Sequence, residues 1–269
     1  MTLKSALARS LVLTLFAPAL AVAQPSPDDW RFGATVYGFV PDLTGGVRFP
    51  TGATREINLD AETLMENAEV VAMGAFEVKK GRWGAFTDVV YFNVANAQSG
   101  TRSLAVDGVP LPVNVTANAD ADIKAPVVTI AASYSVAATS VVTLDVFGGA
   151  RMLAAKATLD WQFSADIGGL GGPGREGSSE ARNHVWDGIG GARGRINLGR
   201  NGRLFIPFYA DVGAGQSDLT WQAMAGAGYD FGWAEAVAGW RYLDYDMASD
   251  RTIDTLTFNG PIVGFTFRW

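Results

Sequence analysis

The chain has 269 residues, 48% of them hydrophobic and 18% charged, with 32 Gly, 8 Trp, 7 Tyr and 15 Phe. Its 27 acidic residues outweigh 21 basic ones for a formal charge of −6, a balance that disfavours nucleic acid as a partner. With no cysteine and one histidine, a disulfide framework, a thiol nucleophile and cysteine-ligated metal are excluded, a zinc centre is disfavoured, and no cofactor is called for.

Lys4 and Arg9 precede an apolar run from Leu11 to Val22 that closes on Ala21-Val22-Ala23. This order predicts a secretory signal peptide over residues 1–23, because the run falls short of the ~20 residues that a spanning helix needs. Cleavage before Gln24 leaves one domain, residues 24–269, with 19 basic residues against 27 acidic and a charge of −8. No later stretch reaches about 18 uninterrupted apolar residues. So apolar a chain without a spanning helix is either a soluble β-sandwich with a large core or a membrane β-barrel.

From Trp30 onward apolar residues alternate with glycine, small, polar or charged ones, which is the period of a strand. Segment 30–40 comes first, followed by a connection, 41–68, that holds a short helix at 59–67 with Asp60 as its cap. That helix either covers one barrel mouth or lies on a surface loop. Segments 69–79 and 83–94 flank the tight turn Lys80-Gly81-Arg82, and a long connection, 95–122, leads to 123–136 and 141–154. In 141–154, Val142, Leu144, Val146, Gly148, Ala150 and Met152 share one phase, while Thr143, Asp145, Phe147, Gly149 and Arg151 share the other. A long connection, 155–182, whose stretch 168–180 carries six glycines, precedes 183–198. Segments 203–213, 219–230, 233–246 and 255–269 complete ten, the last with Val263, Phe265, Phe267 and Trp269 on one phase and Gly264, Thr266 and Arg268 on the other.

Short connections at 80–82, 137–140, 199–202 and 230–233 alternate with a second set at 41–68, 95–122, 155–182, 214–218 and 247–254. Short turns at one end and longer loops at the other, with segments of about 9 to 11 residues or more, favour a closed transmembrane barrel over a sandwich. The prediction is an all-β, antiparallel up-and-down barrel of about ten strands. Eight or twelve remain open, because 41–68 and 155–163 have room for β-hairpin arms. Trp83, Trp233 and Trp269 fall near the short-turn end and Tyr91, Trp240 and Tyr242 toward the other, as two aromatic girdles would.

The ending Gly264-Phe265-Thr266-Phe267-Arg268-Trp269 resembles the carboxy-terminal signal of bacterial outer-membrane barrels, an amphipathic last strand with a terminal aromatic residue. That resemblance implies that Phe265, Phe267 and Trp269 are read by the barrel-assembly machinery. Gly74-Ala75-Phe76-Glu77, the stretch Gly81 to Asp88, Asp218-Leu219-Thr220-Trp221, the stretch Gly239 to Asp246 and Asn259-Gly260-Pro261 look like a widespread group of uncharacterised proteobacterial outer-membrane barrels. The resemblance implies a Gram-negative outer membrane, with lipid and lipopolysaccharide as partners, and carries no functional residues.

Residues able to carry chemistry lie on the inward phase and in the loops. Glu77, Asp88, Asp145, Arg151, Asp187, Arg193, Arg195, Arg203, Asp211, Asp230, Glu235 and Arg241 form a predicted lumen charge network that either fills a narrow barrel as pairs or lines a selective pore. The only histidine, His184, is followed by Val185-Trp186, so it lacks the serine two residues away that barrel lipases place on the same strand face. His184 shares its phase with Trp186 and Gly188 and faces away from Asp187. Asp42, Asp244, Asp246 and Asp250 match no calcium-loop spacing and read as solvated carboxylates. The function expected is therefore non-catalytic: a structural barrel or a narrow, porin-like pore. A lipid-modifying hydrolase and a surface-binding protein acting through its loops are the alternatives.

Overall fold

A computed structural model describes residues 29–48, 54–66, 68–94, 102–105, 113–167, 175–199, 202–248 and 253–269. The predicted signal peptide, Asp250 and the glycines at 168–174 lie outside the described residues. The elements are β1 (Trp30–Phe39), β2 (Asp42–Arg48), β3 (Thr54–Leu59), α1 (Ala61–Glu66), β4 (Ala68–Lys80), β5 (Trp83–Val94), β6 (Arg102–Ala105), β7 (Val113–Ala138), β8 (Val142–Ile167), β9 (Arg175–Leu198), β10 (Leu204–Gly215), β11 (Ser217–Asp230), β12 (Glu235–Met247) and β13 (Ile253–Arg268).

Ten strands close a ring: β1, β4, β5 and then β7 to β13 in order, with β13 returning to β1 through the antiparallel register Gly33↔Arg268 to Phe39↔Ile262. The predicted barrel is the fold. Closure pairs the backbone of every barrel strand on both sides, as a chain surrounded by hydrocarbon requires. The first and last strands meet at one rim, where Phe32 and Trp269 exchange backbone hydrogen bonds of 2.8 and 3.1 Å.

That rim also carries the short turns. Gly81, Gly199, Gly202 and Gly232 have φ between 59° and 92°, a region in which a side chain is strained. At the last of these turns the Asp230 carboxylate accepts the Gly232 amide at 2.7 Å. Asp230 thus shapes a turn and does not line the lumen. Arg203, at the preceding rim turn, is exposed and hydrogen-bonded to the Tyr229 side chain, so it too leaves the predicted network.

Three strands are much longer than predicted. β7 and β8 have 26 residues each and β9 has 24, and residues 113–122, 155–167 and 175–182, read from the sequence as loop, are paired strand. Period two persists there in Ala117-Asn118-Ala119-Asp120-Ala121-Asp122, but the apolar phase is mostly alanine, so the hydrophobic signal fades while the backbone stays extended. At about 3.3 Å per residue these strands run to roughly 80 Å, well beyond a hydrocarbon layer of about 30 Å even when tilted. The connection at 214–218 differs in the opposite sense: only Gln216 separates β10 from β11, and its side chain accepts the Trp186 amide at 3.0 Å. Segment 41–68 holds the hairpin arm β2 and β3, with β2 pairing onto the far end of β13.

The two phases resolve as a membrane barrel requires. Val36, Phe76, Ile130, Val146, Val212, Val263, Phe265 and Phe267 are exposed on the outer wall, while Asp145, Arg151, Asp187, Asp211, Glu235 and Arg241 are buried within. A soluble sandwich would bury the first set and expose the second. At the short-turn rim Trp30, Trp83, Trp233 and Trp269 stand exposed as a girdle, with Trp269 63% exposed. Trp186, Trp221 and Trp240 lie exposed toward the loop end, and Tyr242 stacks on Trp221 at 4.7 Å.

Candidate functional site

The lumen has three layers, and the inward phase of β12 shows them in order. From the short-turn rim it runs Glu235, Val237, Gly239, Arg241, Leu243, Tyr245 and Met247, charged at first and apolar at the end.

The lowest layer is a chain of ion pairs crossing the barrel. Lys79 pairs with Asp145, whose other oxygen accepts the Ser135 hydroxyl at 2.6 Å. Arg193 donates to Glu77 at 2.8 Å and stands 3.9 Å from Asp145. Arg268 pairs with Glu77 and reaches Glu235 at 3.1 Å, and Arg195 donates to Glu235 at 2.6 Å. Four cations and three carboxylates from β4, β8, β9, β12 and β13 thereby form one connected network. Aromatic faces support it, the Arg193 guanidinium lying 3.9 Å over Phe86 and that of Arg195 5.0 Å over Phe205. Glycine makes the room: a Cβ on Gly228 would lie 2.3 Å from the Phe205 ring, and one on Gly33 would lie 2.9 Å from the Glu77 side chain.

The middle layer holds two buried arginines. Arg151 pairs with Asp211, both side chains 0% exposed, and adds hydrogen bonds to Thr129 at 3.3 Å and Thr220 at 3.4 Å. Arg241 donates to Asp88 at 2.8 Å, Gln222 at 2.9 Å and the Tyr37 hydroxyl at 3.0 Å, and Tyr37 donates to Asp88 at 2.5 Å. Several partners per guanidinium are what a buried charge needs. Asp187 sits opposite Arg151 in the β8–β9 register but accepts the Ser217 amide at 2.8 Å, so it ties the β10–β11 corner to β9.

Above these, toward the loops, the lumen is apolar. Phe39, Met73, Phe92, Leu153, Leu243 and Phe258 belong to one buried cluster, in which Phe92 stacks on Phe258 at 6.1 Å. Helix α1 lies at this end and contributes Leu64, 6% exposed, to that cluster, while Met65 stays exposed. Leu64 is the buried residue of α1, and it seats the helix on the apolar end of the lumen. Asp60 caps it by accepting the Thr63 amide at 2.8 Å, a bond that holds the Asp60 carboxyl below its ordinary pKa, and Asp42 accepts the Ala61 amide at 2.9 Å. Leu64→Asp is expected to release α1, so that added protease cleaves between β3 and β4 while the barrel still migrates as folded before boiling. Equal resistance of wild type and variant would contradict the docking.

The other ten of the twelve predicted network residues point into the lumen, and among the described residues nine of them form ion pairs, Asp187 being the exception. Lys79 and Arg268, overlooked in the sequence, complete the lowest layer, and their signal was available: each lies on the inward phase, Lys79 two residues beyond Glu77. The neutral partners Tyr37, Thr129, Ser135, Thr220 and Gln222 were not legible, because pairing across a lumen depends on strands far apart in the chain. His184 is exposed on the outer wall with its ring edge-on to Trp186 at 6.2 Å, as its phase predicted. Of the loop-end carboxylates, Asp42 caps α1 and Asp244 accepts the Thr257 hydroxyl at 2.5 Å.

No family model matches the chain, and no curated protein matches its sequence. Among solved structures it is similar to the outer membrane protease OmpT of Escherichia coli, at 10% identity and a TM-score of 0.43 over 93% of this chain and 99% of that one. It is also similar to the translocator domain of the autotransporter NalP from Neisseria meningitidis, at 15% identity and a TM-score of 0.36 over 89% and 88%. The attachment invasion locus protein Ail of Yersinia pestis gives 10% identity and a TM-score of 0.32 over 89% and 98%. Likeness at this distance carries no activity, ligand or residue role to this chain.

Proposed function

We propose that this chain is an integral outer-membrane barrel of a Gram-negative bacterium, related to the proteobacterial group its motifs resemble. In this reading it is non-catalytic and its lumen is closed at rest, so it is a structural element, or a narrow pore only after the lumen rearranges. The observation that carries the closed lumen is the Arg151–Asp211 pair at 0% exposure, sealed between the lower charge network and the apolar cluster under α1. A standing water channel would leave such side chains wet.

The location is supported by the apolar outer wall between aromatic girdles, the predicted leader and the terminal aromatic strand. Lipid and lipopolysaccharide surround the barrel in this reading, and the assembly machinery inserts it through Phe265, Phe267 and Trp269. The non-catalytic reading is supported by His184, which faces outward against Trp186 while Asp187 turns into the lumen. Surface binding is a second reading, favoured by the sheet of β7, β8 and β9 that runs past the barrel at the loop end.

Purified protein in a planar lipid bilayer is expected to leave the current at baseline. A steady unitary conductance in wild type would overturn the closed lumen and return the porin reading.

A further inference from the structure

Three cations gather around a single hairpin turn at the short-turn rim. Lys80 and Arg82 flank Gly81, and the Arg31 guanidinium donates to the Gly81 carbonyl at 3.2 Å. The Lys80 ammonium lies 5.2 Å over the Trp30 ring. Arg82 lies 6.0 Å over the Tyr134 ring and donates to its hydroxyl at 3.4 Å, and Trp83 meets Tyr134 edge-on at 4.9 Å. Among the described residues none of the three cations is paired with a carboxylate. The rim is not basic all round, since Arg203 at another turn is engaged by Tyr229 and lies beside Asp230.

The rings under these cations belong to the outer wall and continue along it. Trp30 stacks on Phe32 at 6.4 Å, Phe32 stacks on Trp269 at 6.0 Å, and Phe76 packs against Trp269 at 6.5 Å. Amphipathic rings settle where hydrocarbon meets headgroups, which places Lys80 and Arg82, held over such rings, at the level of lipid phosphates, with Arg31 beside them at the Gly81 carbonyl. Guanidinium and ammonium groups grouped around one turn at that depth have one complementary occupant in a bilayer, a negatively charged headgroup.

We propose that Arg31, Lys80 and Arg82 form a binding site for the phosphate of an anionic phospholipid in the periplasmic leaflet, with its acyl chains over Phe32, Phe76 and Trp269. The proposal rests on the outer-membrane reading above, which puts the short turns on the periplasmic side. The two separate cleanly, because cell fractionation tests the location and the site is tested in defined lipid.

The full chain would be reconstituted in phosphatidylcholine nanodiscs, and retained phosphatidylglycerol counted by native mass spectrometry after release. Wild type is expected to keep phosphatidylglycerol in preference to phosphatidylcholine, less so as salt rises. The triple variant Arg31→Gln/Lys80→Gln/Arg82→Gln should lose roughly fivefold in affinity per charge removed. Arg203→Gln, which removes one charge at another turn, should bind as wild type does. Should the triple variant not fold, the wild-type preference and its salt dependence decide the matter alone. No preference in wild type, equal loss in Arg203→Gln, or lipopolysaccharide displacing phosphatidylglycerol from the same three residues would each overturn the site.

Discussion

Replacing Arg151 with alanine is expected to cost about 3–5 kcal/mol, because it strands the Asp211 carboxylate inside the barrel with its cation gone. Both side chains are 0% exposed, so water cannot take the place of the guanidinium, and Thr129 and Thr220 would lose a donor at the same time. The paired replacement Arg151→Met/Asp211→Leu removes both charges and should recover most of the loss, since apolar side chains of similar volume often substitute for a buried ion pair without penalty. Urea-dependent unfolding in detergent, followed by the folded band before boiling, gives both numbers. A stability for Arg151→Ala within about 0.5 kcal/mol of wild type, the range of ordinary surface substitutions, would mean that the middle layer is wet.

Phe258→Ala should be the second severe lesion, at about 3–5 kcal/mol, the usual cost of emptying an aromatic site from a packed core. Phe258 is 2% exposed and stacks on Phe92 inside the apolar cluster beneath α1. Phe265, seven residues on and on the opposite phase, faces the outer wall, where lipid takes up the space a truncated ring leaves. Phe265→Ala is therefore expected to cost distinctly less in the same unfolding assay. The reverse order would show that the loop-end lumen is not a packed interior.

Much of this was legible in the chain because strand period is local. The ten segments were found from alternation alone, and the inward placement of Glu77, Asp88, Asp145, Arg151, Asp187, Arg193, Arg195, Asp211, Glu235 and Arg241 followed from parity once the apolar phase was assigned to the outside. Arg203 and Asp230 have the right parity and still miss the lumen, because they sit at the turn ends of β10 and β11, where the side chain is drawn into the turn or onto a neighbouring ring. Strand length goes unread where the apolar phase thins to alanine, as along 113–122, or disappears, as along 175–182: hydrophobicity marks burial, whereas strand pairing needs only backbone.

Composition, period and the alternation of short turns with longer loops together pointed to a closed, lipid-facing antiparallel barrel with charges inside, since closure is what satisfies the backbone of so many alternating segments in hydrocarbon. The tertiary structure alone decided what those charges do. Arg151 meets Asp211 across 60 residues of chain and Arg241 meets Asp88 across 153, and Leu64 of a loop helix joins Phe39 of β1 and Phe258 of β13 in one buried cluster. Ring closure and strand stagger set which inward side chains share a level of the lumen, and those are properties of the assembled sheet that no local window of sequence contains.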